Sequence, residues 1–181
     1  MIKKDNFFKT YFIKSKKYNK NFKKTKSIFN DFLLEIKSGD IPLLESFKKE
    51  YKFDFTAQMV KKFSKYKNII IIGMGGSILG TKSIYSFFKK NIKKKVFFFD
   101  DLDPSLHLKY KKIKNLSNSC FVVVSKSGNT LETITNLNII FSKKLIKNKL
   151  ILITEINDNS LMRFASIYNA EIIEHKNFIG G

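Results

Sequence analysis

From Asn68 onward, five short apolar runs alternate with stretches long enough to form a helix, and this alternation limits the fold more than any other feature. The runs are NIIIIG (68–73), KVFFFD (95–100), SCFVVVS (119–125), KLILIT (149–154) and AEIIEH (170–175). Their β-branched and aromatic residues are continuous instead of alternating with polar ones, which suits strands covered on both faces. The intervening stretches, Ser77–Lys90, Pro104–Lys114, Thr130–Lys147 and Ser160–Tyr168, predict helices. Strand-then-helix order with right-handed crossovers yields an α/β fold, a doubly wound five-stranded parallel sheet, here assigned to residues 66–181. Ligands of such sheets sit beyond the carboxyl ends of the strands, so the loops after Ile72, Phe99, Val124, Ile153 and Ile173 are the ones to search.

Residues 1–65 carry no strand alternation and read as a helical segment packing on that domain, the whole forming one compact body. Phe22, Ile28, Phe29, Phe32, Leu33 and Ile36 recur at steps of three and four, and Ser38-Gly39-Asp40 predicts a helix stop. A second helical patch follows Pro42, and a third runs roughly from Thr56 to Tyr66.

Composition removes several function classes. No apolar run approaches the roughly 20 residues of a membrane span, and the first residues lack the apolar core of a secretory signal. A transit peptide remains an alternative for that low-acidity start. The single cysteine, Cys120, excludes an internal disulfide framework and fits a reducing, cytoplasmic setting. The net charge of +20 invites a nucleic-acid reading, but only Arg163 among the 35 basic residues is arginine. Arginine's planar fork is the usual tool for reading phosphates and bases, and the lysines are spread along the whole chain. The charge therefore reads first as a solvated basic surface that attracts small anions, with no nucleic-acid partner and no membrane partner.

The first strand runs directly into glycine, IIIIGMGGSILG (69–80). As a dinucleotide fingerprint it supplies Gly73 and Gly75, but the third glycine position falls on Ile78; Asp100 is placed to meet a ribose. As a phosphate-binding P-loop it supplies Gly75 and Gly80, but Thr81 intervenes before Lys82-Ser83 and turns the lysine by about 100° on a helix. A third reading is a tight strand-to-helix turn with Ser77 as cap.

A second loop, VVVSKSGNTLET (122–133), repeats the arrangement on the third strand. Hydroxyls of Ser125, Ser127 and Thr130 suit the oxygens of a phosphomonoester, and Gly128 permits a left-handed backbone. Lys126 either adds charge or points to solvent. Asn129 and Glu132 have capping-box spacing, which makes Glu132 structural before it is catalytic. Loops on the first and third strands meet at the switch point of a 2-1-3-4-5 sheet, the flavodoxin-like order, and together predict one sugar-phosphate pocket.

IGMGGSILG, SKSGNTLETITN and the ending NFIGG resemble the glucose-6-phosphate isomerase family, in particular its first sugar isomerase domain, over residues 68–181. The resemblance implies that Gly76, Ser77, Ser125, Lys126, Ser127, Gly128, Asn129 and Thr130 bind a hexose phosphate, chiefly through its phosphate. It implies interconversion of glucose 6-phosphate and fructose 6-phosphate through an enediol, with no metal and no organic cofactor, and a family that dimerises. It also implies an arginine after the Gly-Gly, a glutamate base, a ring-opening histidine and a late lysine, none of which falls within residues 1–181. The expectation is an N-terminal portion that carries the phosphate subsite, has no catalytic residue of its own and is inactive alone. A free-standing sugar-phosphate-binding regulatory module is the alternative.

Other polar residues are expected to be structural. His107 and His175 read as ordinary surface or helix-end histidines, and Cys120 as packing. Asp100-Asp101-x-Asp103 reads as a strand-end turn, with Asp103 capping a helix that begins at Pro104, before it reads as a metal site. Glu155, after the fourth strand, is the one local carboxylate worth testing as a base.

Overall fold

The computed structural model describes residues 16–39, 41–142 and 147–180, and Asp40 of the expected helix stop lies outside them. The chain divides into two compact units, one ending at Tyr51 and the other beginning at Lys52. In the first unit, helix α1 spans Lys16–Ser38 and is followed by a 3-10 helix, Pro42–Phe47. The patch after Pro42 is thus a tight 3-10 turn and not an α-helix.

The second unit begins with α2 (Ala57–Ser64), whose first turn is capped by the Thr56 hydroxyl accepting from Met59 N at 3.1 Å. Five strands follow, β1 (Asn68–Gly73), β2 (Lys95–Phe99), β3 (Ser119–Val124), β4 (Leu150–Thr154) and β5 (Glu171–Glu174). They alternate with α3 (Gly76–Phe88), α4 (Leu106–Lys111), α5 (Leu131–Phe141) and α6 (Ser160–Tyr168). All four pairings are parallel and the order is β2-β1-β3-β4-β5. The doubly wound sheet expected from the run pattern is present.

Central position explains which runs are continuously apolar. Ile70, Ile72, Phe121, Val123, Leu150 and Leu152 are inaccessible to solvent, and Leu137 and Ile140 of α5 and Leu161 of α6 close over them. Burying one such side chain contributes about 2 kcal/mol, so this layer accounts for much of the unit's cohesion. Phe141 adds edge-on contacts to Phe121 and Tyr168, with ring centroids 5.0 and 4.9 Å apart. The edge strand β5 is only half-buried throughout, in keeping with its glutamates.

Several helix boundaries differ from the sequence expectation, α3 ending at Phe88 and α4 at Lys111. α4 begins at Leu106 and not at Pro104, because Asp103 Oδ1 accepts from both Ser105 N and Ser105 Oγ at 2.7 Å and makes a turn ahead of the helix. α5 ends at Phe141, well short of Lys147.

Candidate functional site

Strand register sets the site. Gly73 at the end of β1 lies opposite Val124 at the end of β3, so the turn Met74–Ser77 and the loop Ser125–Thr130 leave the same edge of the sheet side by side. A β-carbon at Gly73 would stand 3.0 Å from the Val124 carbonyl oxygen, so the close approach of the two strands favours glycine there. Gly75 then takes φ +56°, a left-handed value, and is itself the N-cap of α3. Ser77 is not the cap: it lies inside the first turn, with Ser77 N donating to Met74 O at 3.2 Å. No acidic residue occupies the first turn of α3, which keeps the helix N-terminus attractive to an anion.

The second loop is more constrained. Ser125 is buried, and its Oγ lies 2.9 Å from Thr130 Oγ1. One proton serves that contact, which leaves the other hydroxyl proton for a ligand oxygen. Thr130 is the N-cap residue of α5 but makes no side-chain cap bond, because its hydroxyl turns to Ser125. Ser127 is exposed, and its Oγ accepts from Asn129 N at 3.3 Å, so its own proton also remains free to donate. Gly128 is buried at φ +66°, with Gly128 N donating to Ser125 O at 3.1 Å.

Asn129 departs from its expected part. Instead of capping α5 with Glu132, its Oδ1 accepts from Ser160 N and Ser160 Oγ, each at 2.9 Å, at the start of α6. The capping box fails because Thr130, and not Asn129, stands at the N-cap. Glu132 sits half-buried in the first turn of α5, where the helix dipole favours a carboxylate.

Lys126 reaches toward the chain's last turn. Its Nζ donates to Asn177 O at 2.7 Å and Ile179 O at 2.6 Å and lies 3.9 Å from Glu155 Oε1. Glu155 is thereby held beside an ammonium and also accepts from Asn157 Nδ2 at 3.3 Å, so both of its contacts lie within this loop network.

Asn159 is the residue that sequence reasoning misses. It caps α6 through Met162 N at 2.9 Å, and its Nδ2 donates to Glu155 O and Asn157 Oδ1 at 3.0 and 2.7 Å. Its side chain packs directly against the Gly128 backbone. An asparagine before Ser160-Leu161-Met162 is an N-cap signature, so the capping was readable; the packing on Gly128 was not.

One ion pair bears on both nucleotide readings of the first turn. Lys82, the would-be P-loop lysine, pairs with Asp100, the would-be ribose ligand. Each spends its charge on the other, across α3 and the end of β2. His107 lies away from both loops, beside a cavity of about 550 Å³ shared with Tyr110 and Ile139. His175 continues β5, its N–H donating to Thr154 O at 2.8 Å. Asp103 is engaged by Ser105 and Lys109, and among the described residues no cluster of His, Cys, Asp and Glu is arranged to hold a metal ion. No described helix is long and apolar enough to cross a membrane.

Several known proteins are similar to this chain. The chain is 40% identical over 129 residues to glucose-6-phosphate isomerase of Methanocaldococcus jannaschii, covering 66% of this chain and 30% of that one. It is 36% identical over 102 residues to the Borreliella afzelii glucose-6-phosphate isomerase, covering 50% and 19%. The chain thus spans less than a third of the length of these curated relatives. Among solved structures, a glucose-6-phosphate isomerase from Chlamydia trachomatis superposes with a TM-score of 0.59 at 26% identity, covering 68% of this chain and 25% of that one. The hypothetical protein TT0462 of Thermus thermophilus shares the fold, with a TM-score of 0.58 at 21% identity over 68% of this chain and 32% of that one. The sequence profile of phosphoglucose isomerase matches residues 23–181. With that span and the two loops at one sheet edge, the chain belongs to the phosphoglucose isomerase family.

Proposed function

We propose that these residues form the phosphate-holding part of a glucose-6-phosphate isomerase, which interconverts glucose 6-phosphate and fructose 6-phosphate in cytoplasmic glycolysis and gluconeogenesis. The observation that carries the reading is the register of Gly73 against Val124, which sets the two loops beside each other. The phosphate would lie between Gly76 and Ser77 on one side and Ser125, Ser127, Gly128, Asn129 and Thr130 on the other. Lys126 adds positive charge at the rim while its hydrogen bonds go to the last turn.

The chemistry explains why such a cradle matters. Aldose–ketose isomerisation moves a proton between two neighbouring carbons, so the sugar must be held still against a base. Anchoring the phosphate, which does not react, fixes the far end of the sugar and commits binding energy to orientation. Among the described residues, Glu155 is paired with Lys126, His107 borders a separate cavity, and Glu132 sits in the first turn of α5, where we read it as complementing the helix dipole and not as a base. We accordingly assign this chain binding of hexose phosphate without turnover.

Calorimetric titration with glucose 6-phosphate tests the pocket. Binding that is lost or falls about a hundredfold in Ser77→Ala/Thr130→Ala, the size of two lost charge-assisted hydrogen bonds, supports it. Unchanged binding in that double variant would refute the assigned pocket, and robust isomerisation by the purified chain would refute the absence of a base.

A further inference from the structure

The sheet has a second concave end. At the amino ends of β1, β2 and β3 lies a cavity of about 540 Å³, bounded by Tyr66 and Asn68 and ringed by lysines. Six lysines line it: Lys65, Lys67, Lys93, Lys94, Lys95 and Lys114. No carboxylate does. It is separated from the phosphate cradle by the length of β1, about 20 Å for six residues at about 3.3 Å each.

Elsewhere in this unit several lysines near the sheet have acidic partners, whereas Lys149, just before β4, donates to Ser117 O at 2.7 Å instead. Lys62 pairs with Glu171, Lys82 with Asp100, Lys109 with Asp103, and Lys176 with Asp54 and Glu174. A basic surface produced by composition alone would share its carboxylates evenly, and this cavity has none. Helix capping explains only one of the six: Lys94 Nζ donates to Ser64 O at 2.5 Å and to Tyr66 O, satisfying the end of α2. Lys67, Lys93, Lys95 and Lys114 are exposed and have no ion-pair partner among the described residues. Four like charges around one concavity repel one another, and an anion seated among them relieves that repulsion.

We propose that this cavity binds an oligophosphate chain, a small linear polyanion recognised through its phosphates. The cavity has room for several phosphoryl groups, and four ammonium groups match more charge than a monophosphate carries. Recognition of an attached base is disfavoured because the one aromatic wall is already used. Lys65 Nζ and Lys149 Nζ lie 5.4 and 5.9 Å from the Tyr66 ring centroid.

The test uses inorganic triphosphate as probe. It should bind the chain at one site, more tightly than orthophosphate, and glucose 6-phosphate should not displace it. Lys93→Gln/Lys95→Gln/Lys114→Gln should weaken binding at least about tenfold, the size of one charge-assisted contact, while Lys17→Gln/Lys23→Gln/Lys24→Gln on α1 should leave it within about twofold. In the unaltered chain, triphosphate should protect Lys67, Lys93, Lys95 and Lys114 from acetylation as read by mass spectrometry, which keeps the test independent of variant folding. Equal weakening in both triple variants, or uniform protection of all lysines, would overturn the proposal in favour of diffuse charge. Displacement by glucose 6-phosphate would place triphosphate in the other cradle, and tighter binding of ATP would contradict recognition by phosphate alone; both outcomes refute it.

Discussion

Gly128 and Asn159 are packed so closely that a β-carbon on the glycine would lie 2.1 Å from Asn159 Oδ1. Gly128 also has φ +66°, where an L side chain is strained even in open space. Gly128→Ala should therefore cost at least about 2 kcal/mol, from backbone strain and from displacement of a capping side chain. Gly80 is the internal comparison, since it sits within α3 with nothing within 4 Å of its would-be β-carbon. Gly80→Ala should raise stability by about 0.5–1 kcal/mol through reduced backbone freedom and better helix propensity. Denaturant unfolding of the two variants checks both signs, and a neutral Gly128→Ala would mean that the loop relaxes around Asn159.

Cys120 lies in the middle of the sheet, its thiol donating weakly to Asn68 O across 3.7 Å. Burial pushes its pKa up, and the nearby Lys94 offsets only part of that rise. The unfolded thiol ionises near 8.5 while the folded one stays protonated, so the folded state binds more protons above that pH. Stability from this group is complete below about pH 8 and declines as pH rises toward the folded pKa. Thermal melts between pH 7 and 10 should fall more steeply for the unaltered chain than for Cys120→Ala, and a disulfide reagent at pH 8 should label the folded protein slowly. Parallel melting curves with rapid labelling would show that the thiol is accessible.

The sheet was legible because its information is local. Continuous runs such as Ile69–Ile72 and Phe121–Val124 mark buried parallel strands whatever lies far away, and all five strands fall within a residue of the expected ranges at each end. The neighbouring placement of the two loops followed from the strand order. What could not be read depended on partners distant in sequence. Asn129 has local capping-box spacing, yet it bonds Ser160, 31 residues on, because the loop after β4 comes close. Lys126 faces a pair of carbonyls more than fifty residues away. Spacing also said that Lys82 was misplaced for a P-loop, but only the pairing of β1 with β2 supplies its partner, Asp100.

Acid should act on the loop after β2. Asp103 accepts from Lys109 and twice from Ser105, and these contacts hold its carboxyl well below the usual carboxylate range, Lys109 contributing most. A depressed folded pKa gives stability that is present above the unfolded value of about 3.9 and is lost as pH falls below it. Between pH 5 and pH 2 the melting temperature of the unaltered chain should drop more than that of Asp103→Asn. The asparagine still accepts from Ser105 but cannot pair with Lys109 as an ion. Equal drops would mean that solvent screening at this exposed position cancels the pair.

Lys126 joins the phosphate loop to the chain's last turn through Asn177 O and Ile179 O, with Glu155 close by. Methionine preserves the length of the stem but donates nothing, so Lys126→Met leaves both carbonyls to water and Glu155 without its ammonium. The last turn keeps only local bonds such as Ile179 N to Lys176 O at 3.1 Å. Hydrogen exchange at Asn177–Ile179 should accelerate by about tenfold or more, the consequence of losing roughly 1.5–3 kcal/mol of charge-assisted bonding. Glucose 6-phosphate binding should weaken less than in Ser77→Ala/Thr130→Ala, because the hydroxyls and backbone of the cradle stay in place. If exchange at the last turn is unchanged while binding collapses, the ammonium acts on the phosphate directly and its bonds to the turn are replaceable.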